Sequence, residues 1–242
     1  KGRFMYDGKV AFAYNEGQFS TPATVIEGPF VTRLQPDGAV IDFSTTTPVK
    51  AAVTINGKTF LDEEPVESHE IAVTGLQPAK KYEYTLEAGP FAFTYTLETK
   101  PEKGSRKPFT FAYSSDSRAG QGGGERAIFG SNAYIMKKIG ALALQEEAKF
   151  MQFTGDLING YQNSATRMHL QYANWKHAIE PFWHHFPVYP AIGNHEAYNM
   201  MFRDEQEDDM YMIDHFPFGT NSAESVFREN FTNPVNGPES ED

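Results

Sequence analysis

The chain has 242 residues, with 21 Lys and Arg against 32 Asp and Glu; the resulting net charge of −11 argues against nucleic-acid backbones and anionic membranes as main partners, since both attract clustered cations. Its 40% hydrophobic content suffices for one or two buried cores, and the lack of cysteine excludes disulfides and thiolate metal ligands without fixing the compartment. No apolar run approaches a membrane span. No secretory signal precedes Lys1, and an opening Lys reads as a processed or cut start.

Residues 1–28 carry aromatics at Phe4, Tyr6, Phe12, Tyr14 and Phe19, suited to a lead-in strand or to packing across a domain boundary. Short strand signals then recur from 29 to 100: Ala39–Phe43, Ala51–Ile55 closing on Asn56-Gly57, Ile71–Val73, Tyr82–Leu86 and Phe91–Leu97, with Pro48 at a turn. That spacing predicts an antiparallel β-sandwich. Leu76-Gln77-Pro78 ahead of Tyr82 resembles the tyrosine corner of fibronectin type III domains, which implies that the Tyr82 hydroxyl hydrogen-bonds back to nearby main chain. Residues 101–108 are polar and bounded by Pro101 and Pro108, a linker composition.

From 109 onward the period changes to strand, helix, strand, helix, strand, which predicts parallel strands with right-handed crossovers. The strand-like runs are Phe109–Tyr113, Phe150–Phe153 and Val188–Ile192. Between them, Ala133–Glu147 places Ile135, Ile139 and Leu142 on one helical face, and Thr166–Trp183 does the same with Met168, Tyr172, Trp175, Ile179 and Phe182. Behind the strands come three blocks: Ser115-Asp116-Ser117-Arg118, Thr154-Gly155-Asp156-Leu157 and Ile192-Gly193-Asn194-His195-Glu196. Ligands in open α/β sheets bind at the carboxyl ends of strands. Two carboxylates, an amide and an imidazole converging there make an oxygen-and-nitrogen donor set of the kind that two-metal hydrolytic sites use.

The order and strand context of these blocks resemble the calcineurin-like metallophosphoesterases, and the β-sandwich in front resembles the arrangement of purple acid phosphatases and their bacterial relatives. The resemblance implies that Asp116 binds a first metal, Asp156 bridges two and Asn194 binds the second through its amide oxygen. It implies two divalent or trivalent cations (Fe, Zn or Mn), roughly 3.5–4 Å apart, and a small phosphate-ester substrate. His195 is then the general acid or a donor to the charged transition state, with Glu196 as its orienting partner.

Two departures from the family pattern stand out. Arg118 replaces the His of an Asp-x-His block and cannot ligate a metal. It either forks onto a substrate phosphate or pairs with a carboxylate. Three residues after Asp156, where purple acid phosphatases carry Tyr, this chain has Asn159, whose amide oxygen is a candidate metal ligand, with Tyr161 nearby. Nothing after Glu196 matches the family's later histidine blocks; the expectation is that 109–242 is the first half of a catalytic domain whose remainder comes from a second fragment or chain.

Other features have plainer readings. The glycines at 120 and 122–124 suit a flexible active-site loop, since no Gly-Lys-Ser/Thr follows. His184 and His185 suit a helix C-terminus, where imidazolium favours the dipole. Asp204–Asp209 reads as a solvated acidic face, His215 as a pocket-rim or structural residue, and 236–242 as a polar tail.

The expected whole is an α+β two-domain hydrolase: a fibronectin type III-like sandwich, then half of an α/β metallophosphoesterase sandwich. It is read as exported: secreted, periplasmic or cell-surface. The alternative is a non-catalytic adhesion or assembly protein with a degenerate phosphoesterase domain.

Overall fold

The computed structural model describes residues 6–118, 128–162, 164–197, 200–202, 210–212 and 222–234. The glycine run, the acidic stretch, His215 and the tail named above lie outside the described residues.

A short hairpin of β1 (Ala13–Asn15) and β2 (Gln18–Ser20) precedes a five-stranded antiparallel sheet. Its strands are β3 (Val25–Thr32), β4 (Gly38–Ile55), β5 (Lys58–Thr74), β6 (Lys81–Ala88) and β7 (Phe91–Glu98). The sequence predicts breaks within residues 38–55 and 58–74. The chain instead runs through each as one long bent strand, with register shifts between Ser44 and Val49 and between Val49 and Ala51. Pro48 falls at that irregularity, where a ladder N–H is not required. The first half of β4 pairs with β3 and the second half with β6. The sheet therefore curls over a core that includes Val31, Ile41, Phe43, Val53, Ile55 and Leu86. Asn56 and Gly57 close the β4–β5 hairpin with φ of 51° and 72°, the positive values that a two-residue loop between twisted strands needs. The Tyr82 hydroxyl accepts the Gln77 N–H at 2.8 Å.

Residues 101–108 are exposed and carry no helix or strand. Behind them β8 (Ala112–Ser114), β9 (Met151–Phe153) and β10 (Val188–Pro190) form a parallel sheet in the order β10-β9-β8. Helices α1 (Ala133–Gln145) and α2 (Ala165–Trp183) connect them and pack against each other on one face. Asn132 and Ser164 cap these helices, their side chains accepting the N–H of Ile135 and Arg167. The short α3 (Asn194–Ala197) follows β10, then the hairpin β11 (Met200–Phe202) and β12 (Met210–Met212), then α4 (Ala223–Asn230) with a Ser222–Ser225 capping box. Met151, Phe153, Tyr172, Trp175, Ile179 and Phe227 are among the residues of this second core.

The expected inward face of α1 is corrected. Ile135 and Leu142 are exposed, and the buried residues are Ala133, Met136, Gly140 and Ala143. Ile139 does pack against the core, beside the fully buried Met136, and at the closest approach of α2 only glycine fits: a Cβ on Gly140 would lie 2.2 Å from the Phe182 ring.

Polar contacts tie the curled sheet to α2. The Trp183 indole donates to the Val31 carbonyl at 3.1 Å, the Gly28 N–H to Glu180 at 3.1 Å and the Tyr84 hydroxyl to the His184 carbonyl at 2.8 Å. Lys176 pairs with Glu27, and Lys9 with Glu180. His184 is buried and its Nδ1 lies 2.7 Å from the Pro29 carbonyl. A carbonyl can only accept, so Nδ1 carries the proton. Burial lowers the His184 pKa to about 4, which corrects the imidazolium expected at this helix end: the ring is neutral near pH 7. Among the described residues no helix is long and apolar enough to cross a membrane.

Candidate active site

The site forms where the three parallel strands end. Asp116 follows β8, Asp156 follows β9 and Asn194 opens α3 behind β10. The loops are stitched together by main chain: the Asp116 N–H donates to the Gly155 carbonyl at 3.1 Å and the Arg118 N–H to the Asp156 carbonyl at 3.2 Å. Both aspartates sit in the left-handed region, at φ 57° and 54°. Short polar side chains tolerate that conformation best, and it re-aims a side chain where a regular strand would not.

Glycine permits the second junction. A Cβ on Gly193 would lie 2.4 Å from the Asp156 nitrogen, and one on Gly160 would lie 1.6 Å from the His195 carbonyl oxygen. Glu196 then locks the loops, as its fully buried carboxylate accepts the N–H groups of Asp156 at 2.8 Å, Gly193 at 2.9 Å and Ile158 at 3.1 Å. Burial pushes its pKa up, and these donors oppose the shift. Glu196 was expected to orient the imidazole; the group that holds His195 here is the Asn159 carbonyl, 2.6 Å from Nδ1. Nδ1 therefore carries a proton.

The opposite imidazole nitrogen, Nε2, is 3.8 Å from Asp156 Oδ2. Asp156 Oδ1 accepts the His195 N–H at 3.2 Å, and Arg118 Nε stands 3.5 Å from Oδ2. Asp116 accepts from the neighbouring Ser115 hydroxyl. Asn159 enters the site through its main chain, since its N–H bonds to the Gly130 carbonyl at 2.8 Å and its own carbonyl holds His195.

Tyr161 is the residue that sequence spacing undervalued. Its ring lies 4.2 Å from the His195 ring, centroid to centroid, and its hydroxyl accepts from the Asn194 amide nitrogen. The amide's donor end is thereby used, and the oxygen is the end with metal-binding chemistry. Ser117 was also unmarked: it takes the Trp175 indole N–H and donates to the Leu157 carbonyl, both at 2.8 Å, anchoring the Asp116 loop to α2. Its only trace in the sequence is its position between Asp116 and Arg118.

Carboxylate and amide oxygens at adjacent strand ends have the donor chemistry for hard or borderline cations. The count falls short, because among the described residues no three His, Cys, Asp or Glu side chains gather as a metal cluster. Arg118 supplies positive charge beside Asp156 instead.

No family model matches the sequence, and no curated protein sequence matches it. Solved structures do. A purple acid phosphatase from yellow lupin (Lupinus luteus) seeds superposes with a TM-score of 0.60 at 14% identity, covering 94% of this chain and 46% of that one. The structure of PhoD superposes with a TM-score of 0.55 at 15% identity, covering 81% of this chain and 42% of that one. The shared property at such identity is the fold. The chain spans less than half the length of each.

Proposed function

We propose that this chain carries the strand-end donors of a metal-dependent phosphoesterase. The observation that carries the reading is the meeting of Asp156, Asn194 and His195 with the Asp116 loop at the carboxyl ends of β8–β10, in a fold like that of the yellow lupin purple acid phosphatase and of PhoD. Asp116, Asp156 and Asn194 would hold the cations, Fe, Zn or Mn, once donors from outside the described residues complete the set. When bound, such metals supply Lewis acidity and an activated water.

The chain's own residues divide the remaining work. His195, held by the Asn159 carbonyl, keeps its Nε2 edge at the site to hold or deliver a proton to a leaving oxygen. Arg118 has the planar fork to clamp a phosphate, within reach of the Asp156 carboxylate. Glu196 keeps the Asp156 and Asn194 loops in register.

The curled sheet is read as a fibronectin type III-like domain of about residues 29–100, supported by the Tyr82–Gln77 bond and the pairing of β3–β7. Residues 109–242 are read as the first half of the catalytic domain, its remainder contributed by further polypeptide, and the protein as exported. The Arg118–Asp156 pair favours one second reading, a degenerate site in an adhesion or assembly protein.

Metal analysis and hydrolysis of a chromogenic phosphate ester, on the longest native form, separate the two. Bound metal with turnover supports the phosphoesterase; metal-free, inactive native protein supports the alternative.

A further inference from the structure

Away from the strand ends, the segment ahead of β1 is laid along α2. The Asp7 N–H donates to the Asn174 amide oxygen at 2.8 Å, His177 Nδ1 stands 3.2 Å from the Asp7 carbonyl, and Lys9 pairs with Glu180. Residues 8–10, the first half of β3, β7 and Glu180 enclose a cavity of about 520 Å³, within the roughly 300–1,000 Å³ usual for small-molecule pockets. Val10, Val25, Pro29, Phe93 and Tyr95 wall it, and Lys9 and Glu180 line it too. Phe93 and Tyr95 stand two apart on β7, so both rings leave the same face of the strand. Tyr95 is held against the buried His184 ring, centroids 4.1 Å apart.

The polar pair has bonding capacity to spare. Glu180 is only 7% exposed; one carboxylate oxygen takes Lys9 and the other accepts the Gly28 N–H at 3.1 Å. A carboxylate offers about four acceptor sites and an ammonium three donors. Lys9 also reaches the Gly28 carbonyl, at 3.5 Å. Among the described residues, one N–H of Lys9 and two acceptor sites of Glu180 are left for a guest.

Charge and shape narrow the guest. The charges of Lys9 and Glu180 cancel, and a charged guest would leave a net charge in a largely buried place, which is costly. A donor beside an acceptor is matched by a carbonyl next to an N–H on one molecular edge. Aromatic and apolar walls are matched by a flat ring. A flat ring with a carbonyl beside its N–H is a cyclic lactam or ureide.

We propose that this cavity binds a neutral planar lactam of the uracil type, its carbonyl accepting from Lys9 and its ring N–H donating to Glu180. It is a second site. The strand-end loops meet α2 at Gln171, whose side chain accepts the Gly160 N–H, and Glu180 lies nine residues further along that helix, about 14 Å. The proposal therefore does not rest on the phosphoesterase reading.

The test is saturation-transfer NMR and calorimetric titration of the native form with uridine, a probe without phosphate. Uridine binds with or without added metal. Its analogue methylated on the ring N–H binds about tenfold more weakly, the loss that follows when a buried polar group is left unpaired. Lys9→Met weakens uridine binding while the melting temperature stays within a few degrees, since the Lys9 side chain is partly exposed. Asp156→Asn leaves uridine binding unchanged. No binding at millimolar uridine, equal affinity for the two nucleosides, or an affinity unmoved by Lys9→Met overturns the proposal. Tighter binding of benzylammonium or benzoate than of uridine overturns it too, because the cavity would then select charge. Loss of uridine binding in Asp156→Asn would place the ligand at the strand ends and has the same consequence. Uridine binding in metal-free, inactive protein supports this site and counts against the phosphoesterase reading alone.

Discussion

Glu196 accepts the main-chain N–H of Asp156 at 2.8 Å, so the residue directly after the site imidazole fixes the carboxylate loop on the neighbouring strand. Glu196→Gln turns one acceptor into an amide donor facing an N–H group. The expected cost is on the order of 1–3 kcal/mol, the usual penalty for leaving a buried polar group unsatisfied. Chemical denaturation measures it, and a midpoint equal to that of the unaltered chain contradicts the clamp.

Gly193→Ala probes the same junction sterically. The added methyl would meet Asp156 backbone nitrogen at 2.4 Å, and backbone cannot yield as a side-chain tip can. The Asp156 loop is expected to shift, weakening inhibition by inorganic phosphate and lowering the melting temperature together. Unchanged phosphate inhibition would mean that the two loops need not touch.

Arg118 stands 3.5 Å from Asp156 with an exposed side chain, and an exposed ion pair contributes about 0–1 kcal/mol. Arg118→Lys is therefore expected to leave thermal stability nearly unchanged. Phosphate inhibition is expected to weaken about tenfold, because an ammonium cannot reproduce the planar fork. A clear loss of stability with phosphate inhibition intact would make the arginine structural.

His184 gives the curled sheet and α2 a pH-dependent contact. Its pKa falls from the ordinary 6.5 to about 4 on burial, so between these values the unfolded chain binds the extra proton. Its contribution is present above pH 6.5 and is lost as pH falls toward 4, on the order of 3 kcal/mol in all. The buried carboxyl of Glu180 has a raised pKa, chiefly from desolvation, so its contribution is complete at low pH and lost on going up, the opposite sense. His184→Asn is expected to flatten the stability profile between pH 6.5 and 5. A parallel profile for the variant would show that this ring is not the titrating group.

Sequence and structure agree where periodicity or local chemistry decides the outcome. Strands β6 and β7, the buried face of α2 at Met168, Tyr172, Trp175 and Ile179, and the placement of Asp116, Asp156 and Asn194 past strand ends were legible; β3 and the unbroken runs of β4 and β5 were not. The face of α1 was not. Hydrophobic period ranks Ile135 and Leu142 above Gly140, but the closeness of Phe182 selects the glycine. Nor were the roles of Glu196 and Tyr161 legible: each depends on where a neighbouring loop places its N–H or amide, which residue spacing does not encode.

The most direct measurement is metal content and phosphate-ester turnover of the native form, unaltered and with Asp156→Asn. The substitution removes the negative charge that faces His195 and Arg118 with almost no change in volume. Turnover is expected to vanish and bound metal to fall, while the metal-free melting temperature stays within a few degrees. Full metal content and full turnover in the variant would contradict the assignment of Asp156, and with it the reading of this site as a metal-dependent phosphoesterase.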